Sequence, residues 1–361
     1  MTEQTWRAAV DLDRLAQWMD AQRLEAGPLE HPQALTGGTQ NILLRFRRGP
    51  REFVLRRPPL LARLDGNKTI LREARLLAAL AGTAVPHARL IAACVDSAVL
   101  GAPFYLMEPV DGFNASGLPL PALHAADPAL RARMGLAMVD ALLCLHVVDH
   151  QAIGLADFGR PQGFLQRQVP RWRAQLESYS AYPAYAERPI AAELAGVSAV
   201  GAWLEAHCPA HFTPGLLHGD FHLANVMFRR DGPELAALID WELATIGDPL
   251  LDLGWLVATW PDASGQGAGT IQVTPAEGFG STERLIAHYR AGSPRDLSAI
   301  TWYVVLACFK LAILLEGSYA RTFSEAAADD AATRLGQRHH ESALRLLSQA
   351  SARISKHQET V

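Results

Sequence analysis

The sequence predicts an α+β protein in two lobes: a small N-terminal lobe with an antiparallel five-stranded sheet and one main helix, and a larger, mostly helical C-terminal lobe. Three observations carry this. At 361 residues the chain exceeds what one hydrophobic core supports, since single cores stop growing at roughly 250 to 300 residues. Short apolar runs punctuated by Gly and Pro fill the stretch up to Met107, whereas from about Leu123 onward apolar residues recur at helical spacing. The boundary is expected near position 108, which gives lobes 1–108 and 109–361.

In order, Asp11 to Gln22 places Leu12, Leu15, Trp18 and Met19 on one helical face behind an Asp11 cap, predicting a short opening helix. The run ending at Leu35, then "ILLRFRRG" and "REFVLRRPP", read as three strands. A Gly-rich turn, "TGGTQN", separates the first two, and Gly49-Pro50 separates the second from the third. Pro58 and Pro59 end the third strand, "KTILREARLLAAL" is an amphipathic helix, and "ARLIAACVD" and "PFYLMEPVDG" supply two more strands. The helical part includes "MGLAMVDALLCLHVVDH", "GFLQRQVPRWRAQLESY" and "AAELAGVSAVGAWLEAH". A hairpin turning at Asp231-Gly232 interrupts it, and "PDASGQGAGTIQVTP" reads as a loop. No fixed-period repeat is present, which excludes solenoids.

Composition removes several functions. A net charge of −4 leaves no electrostatic footprint for nucleic acid. Lys68, Lys310 and Lys356 are the only lysines, so nearly all the basic residues are arginine. Cys94, Cys144, Cys208 and Cys308 form no C-x-x-C pair and read as reduced thiols, and the acidic start lacks the pattern of a signal peptide, so a cytoplasmic protein is expected. The longest apolar run, "WYVVLACFKLAILLEG", falls short of the roughly 20 residues a membrane span needs and reads as a core helix. His339 and His340 lie in a late polar helix and are assigned to solvent.

Chemistry concentrates in "LLHGDFHLANVMF". His218, Asp220 and Asn225 form H-x-D-x4-N, and Asp240 follows beyond the hairpin in "LIDWE". One carboxylate to accept a hydroxyl proton, plus an amide and a second carboxylate to hold magnesium against phosphates, is what phosphoryl transfer requires. Both candidate ligands, Asn225 and Asp240, are the hard oxygen donors Mg²⁺ prefers.

These residues, with "ALIDWELATIGDPLLDLGWL", resemble the aminoglycoside phosphotransferase and choline kinase family, which has the protein-kinase-like fold. "FVLRRPP", "LREARLLAAL", "LGAPFYLMEPVDG" and "GFLQRQVPRW" resemble in particular the branch fused to acyl-CoA dehydrogenases in animals. The resemblance covers roughly Leu35 to Phe323. It implies that Asp220 is the catalytic base, that Asn225 and Asp240 are magnesium ligands, and that His218, Glu242 and Asp252 support them. It further implies ATP, or GTP, held by Gly37, Gly38, Thr39 and Asn41 at the phosphates, Arg56 paired with Glu73, and Met107, Glu108 and Val110 around the base. Two positions depart from the usual pattern: Gln40 stands where a serine is common, and Arg56 stands where protein kinases carry lysine, an exchange that keeps charge but alters geometry. The expected activity is phosphorylation of a small-molecule hydroxyl, with a nucleotide-binding module that transfers nothing as the alternative. Arginines and aromatics between Arg167 and Arg173 and between Tyr303 and Arg321 suit a hydroxyacyl or other anionic acceptor better than a polycationic aminoglycoside. No nucleic-acid or membrane partner is expected, and monomer and homodimer both stay open.

Overall fold

The computed structural model describes residues 3–35, 41–60, 66–116, 119–187, 194–261, 266–267, 271–324 and 330–360. The chain forms two compact units, one of residues 1–112, 151–155 and 236–242, the other of residues 113–150, 156–235 and 243–361.

The first unit contains, in order, α1 (Glu3–Ala9), α2 (Leu12–Ala21), β1 (Leu29–Ala34), β2 (Ile42–Arg48), β3 (Arg51–Arg57), α3 (Gly66–Leu80), β4 (Leu90–Cys94), α4 (Ser97–Leu100) and β5 (Phe104–Met107). The expected antiparallel five-stranded sheet is present, in the order β1-β2-β3-β5-β4. Asp11 caps α2 by accepting from the N–H groups of Asp13 and Arg14, both at 3.0 Å. The short helices α1 and α4 were not anticipated from the sequence, and they explain an oddity of β3. This strand is buried on both faces, and its alternation sends neighbouring arginines opposite ways. Phe53 and Leu55 join the core of Trp6, Leu15, Met19, Leu44 and Phe46. Arg57, on that same face, donates to the carbonyls of Ala9 and Leu100, the last residues of α1 and α4. One buried guanidinium thus satisfies carbonyls that two helix ends leave without partners. Arg56 points to the other face, toward α3.

The second unit holds α5 (Ala122–Ala126), α6 (Pro128–His146), α7 (Gln168–Glu177), α8 (Pro183–Ala186), α9 (Val197–Ala206), β6 (Gly215–Leu217) and β7 (Val226–Phe228). After β8 (Leu235–Leu238), through which the chain passes into the first unit, it continues with β9 (Thr245–Gly247), α10 (Leu250–Thr259), β10 (Gln266–Gly267), β11 (Ile271–Gln272), α11 (Thr282–Gly292), α12 (Ile300–Arg321) and α13 (Asp330–Thr360). The predicted hairpin turn is closed by the Arg229 N–H on the Glu234 carbonyl at 2.9 Å.

At 22 residues α12 is longer than its apolar run suggested, and by length and composition alone it is a candidate membrane span, yet 78% of its apolar window is buried inside the protein. Its neighbours account for that. A Cβ on Gly254 of α10 would lie 2.7 Å from the Tyr303 backbone, so the glycine allows the two helices to touch. The Trp302 indole donates to the Leu204 carbonyl of α9 at 2.9 Å. On the other side, α13 buries Ala343, Leu346, Leu347 and Ala350, a helical stripe. This packing corrects the assignment of His340 to solvent: its Nδ1 lies 2.6 Å from an oxygen of the fully buried Glu316, whose other oxygen accepts from the Tyr185 hydroxyl at 2.6 Å. His339 is half-buried, and burial lowers its pKa. The sequence offered no sign of this because Glu316 is an isolated acid inside an apolar helix.

Candidate active site

The predicted site residues fall into two groups, one in each unit. In the second unit, β6 delivers the chain into a loop whose backbone is gripped from α10. Asp252, fully buried, accepts from the His218 N–H at 2.6 Å with one oxygen and from the Gly219 N–H at 2.8 Å with the other. Gly219 has φ +87°, and a Cβ there would lie 2.4 Å from the Leu243 carbonyl oxygen, so both backbone conformation and space require glycine. Beneath the loop, the His146 ring accompanies Asp252, with Nε2 at 3.5 Å from its Oδ2 and Nδ1 at 2.8 Å from the Tyr289 hydroxyl. Burial pulls the His146 pKa down against the opposing pull of Asp252, which keeps the ring neutral.

The next residue is Asp220, and its two oxygens have separate partners. Oδ1 lies 3.3 Å from His222 Nε2, and Oδ2 accepts from the Asn225 amide nitrogen at 2.9 Å. The same Asn225 nitrogen also donates to the Asp220 carbonyl at 2.9 Å, which commits the nitrogen and leaves the amide oxygen as the acceptor end. His222 Nδ1 accepts from the Ala224 N–H at 3.2 Å and so caps the short 3-10 turn Leu223–Asn225. That bond assigns the ring proton to Nε2, facing Asp220. Burial alone would raise the Asp220 pKa, but the hydrogen bond from His222 and the favourable electrostatics of the His222 ring, the Lys310 ammonium and His218 outweigh it and hold the carboxyl at about 2. Asp220 is therefore an ionised, oriented carboxylate at neutral pH.

In the first unit, Arg56 forms the middle of a chain of charges. Its Nε lies 2.8 Å from Glu73 Oε2 on α3, and one terminal nitrogen donates to Asp240 Oδ1 at 2.8 Å. The Tyr105 hydroxyl of β5 donates to Glu73 Oε2 at 2.8 Å. Burial acts to lower the Arg56 pKa, but the negative partners raise it further than burial lowers it, so the guanidinium is permanently charged. Asp240 has φ +65°, a left-handed conformation that aspartate tolerates better than most side chains. Ligand oxygens of Glu73, Asp240 and Glu242 all lie within 4.8 Å of one another, a donor set that could hold a divalent cation.

Of the remaining predicted residues, Gly37, Gly38 and Thr39 lie outside the described residues. Asn41 directly precedes β2 and is half-buried. Met107 ends β5 opposite Val54 and Leu90, and the Glu108 N–H donates to the Arg89 carbonyl at 2.9 Å while its carboxylate pairs with Arg51 at 2.9 Å. Val110, three residues beyond the end of β5, is half-buried.

Sequence reasoning missed Lys310. Its ammonium donates to the Gly219 carbonyl at 3.0 Å and lies over the Trp255 ring at 4.1 Å and the Trp172 ring at 5.5 Å. Burial lowers its pKa, while the charges of Asp220 and Asp252 act to raise it. The available signal was a lysine in a chain with three, placed in the middle of its most apolar helix.

With this geometry in place, comparisons with known proteins are decisive about kinship. The phosphotransferase enzyme family model matches residues 31–285. The chain belongs to this family. It is 31% identical over 322 residues to acyl-CoA dehydrogenase family member 10 of Mus musculus, a match covering 86% of this chain and 28% of that protein. The chain thus spans less than a third of that relative's length. Among solved structures, it is similar to a Ralstonia eutropha protein provisionally classed as an aminoglycoside phosphotransferase, with 29% identity, a TM-score of 0.77, and coverage of 95% and 98% of the two chains. Choline kinase from Cryptosporidium parvum shares the fold at a TM-score of 0.61 and 11% identity, covering 96% and 97%. So does an aminoglycoside phosphotransferase solved with AMP-PNP and hygromycin B, at 0.54 and 14%, covering 92% and 98%. The kinase-like fold and the family expected from the sequence are both borne out.

Proposed function

We propose that the protein transfers the γ-phosphoryl group of Mg-ATP, or of GTP, to the hydroxyl of a small molecule. The observation that carries this reading is Asp220: an ionised carboxylate with one oxygen on His222 and the other on Asn225, in a loop whose backbone Asp252 holds. A carboxyl with a pKa near 2 does not strip a hydroxyl of its proton in the ground state. It orients the acceptor oxygen and takes the proton late, as the oxygen bonds to phosphorus, which suits the loose transition state of phosphoryl transfer.

Each unit offers hard oxygen donors that suit magnesium: in the second, the Asn225 amide oxygen, left as the acceptor end by the two bonds of its nitrogen, and in the first, the clustered carboxylates of Glu73, Asp240 and Glu242. In the first unit Asp240 would hold the ion, with Glu242 supporting it; in the second, Asn225 is the candidate ligand. When bound, magnesium neutralises charge on the phosphates. Arg56, kept in place by Glu73, would supply a positive charge for the same phosphates, with Asn41 at the start of β2 as a further polar contact. Met107, Glu108 and Val110 would border the base. For the acceptor we favour a hydroxyacyl or other anionic compound over an aminoglycoside, supported by Lys310 close to Asp220 and by the dehydrogenase name of the relatives. The four free cysteines suit the cytoplasm.

The test is ATP-dependent phosphorylation of metabolites in a cell extract, with wild type against Asp220→Ala. Products present only with wild type support the reading, and no product together with no ATP hydrolysis overturns it. A second reading, a nucleotide-binding module without transfer, draws on the Arg56–Asp240 ion pair, which occupies an oxygen that a metal would use. It predicts nucleotide-induced thermal stabilisation that needs no magnesium and survives Asp240→Ala.

A further inference from the structure

We propose that Lys310 is a positioning residue that aims Asp220 by holding the carbonyl of Gly219, an inference that rests on the phosphotransferase reading. Gly219 is the residue whose backbone sets the direction of Asp220, and both of its peptide groups are held by opposite charges. Its N–H donates to the Asp252 carboxylate at 2.8 Å, and its C=O accepts from the Lys310 ammonium at 3.0 Å. The left-handed φ of +87° leaves this backbone without the support of regular secondary structure, so the two side chains supply what a helix or sheet would otherwise provide. The two restraints come from different helices, α10 and α12, which touch at Gly254 and are therefore fixed relative to each other.

The ammonium is itself confined. The indole faces of Trp255 at 4.1 Å and Trp172 at 5.5 Å flank it and replace part of its lost hydration. Asp220 and Asp252 counter its charge, and Arg171 opposes it. A side chain serving only to pack α12 would be apolar, because burying an ammonium costs free energy that a methionine avoids. Stability and catalysis therefore make opposite demands at this position, which separates a positioning role from a structural one.

The experiment compares wild type, Lys310→Met and Lys310→Arg by steady-state phosphate release from Mg-ATP, thermal unfolding, and hydrogen exchange of the segment 216–225. We expect K310M to lower kcat by about 100-fold, the scale of an ångström-level misplacement of a reacting group. KM for Mg-ATP and Tm should stay at or above the wild-type values, and exchange at the Gly219 and Asp220 amides should rise. K310R should recover most of the rate. Should K310M not fold, Lys310→Gln serves as the neutral comparison. Wild-type kcat and exchange in the neutral variant, or K310R as slow as K310M, would overturn the assignment. A wild type that neither releases phosphate nor phosphorylates any compound of a cell extract overturns the phosphotransferase reading instead, and the exchange measurement then decides the clamp by itself.

Discussion

Replacing Asp252 by asparagine tests the central support of the loop with almost no change of shape. The carboxylate accepts two backbone N–H groups at 2.6 and 2.8 Å in a fully buried position. Asparagine offers one oxygen and one NH₂, so one of those N–H groups must face a donor. A buried donor left without an acceptor costs about 1–3 kcal/mol, and the surviving bond falls from charge-assisted to neutral, a further loss of about 1 kcal/mol. The expected destabilisation is therefore about 3 kcal/mol, within reach of a domain whose whole stability is on the order of 5–15 kcal/mol. Urea unfolding followed by tryptophan fluorescence measures it as a shift in midpoint at constant slope. Should D252N unfold within about 0.5 kcal/mol of wild type, the range of an ordinary surface substitution, Asp252 does not carry the loop.

Three other perturbations follow from the same geometry. Gly219→Ala should destabilise by more than the roughly 1–2 kcal/mol cost of a left-handed alanine, because its Cβ meets a backbone carbonyl at 2.4 Å, and thermal unfolding at the wild-type Tm would refute this. Arg56→Met leaves the buried Glu73 without its counter-charge and should cost about 3–5 kcal/mol by urea unfolding, with Arg56→Lys costing less because it keeps the charge. For His146, the folded pKa lies below the ordinary 6.5, so the unfolded chain takes up the proton first as pH falls. Its contribution is complete above 6.5 and is lost as pH drops below it, at up to about 1.4 kcal/mol per pH unit. Unfolding free energies at pH 7.5 and 5.5 should thus fall less steeply in His146→Gln, and equal slopes would refute the buried neutral ring.

The sequence alone determined what depends on local periodicity. Short apolar runs with Gly and Pro between them marked the five strands, the Asp11 cap marked the start of α2, and the hairpin turn was legible at Asp231-Gly232. The spacing of His218, Asp220 and Asn225 marked the loop, since these residues interact within a few positions of one another. Tertiary structure alone decided which distant groups meet. Lys310 reaches Gly219 across 91 positions, Asp252 reaches His218 across 34, and Arg56 reaches Asp240 across 184. Adjacent arginines took different tasks for the same reason, Arg57 closing two helix ends and Arg56 facing α3, because a strand turns successive side chains to opposite faces. Periodicity records which face of an element is buried, whereas the partner on that face is chosen by how the elements pack, and no local pattern encodes that choice.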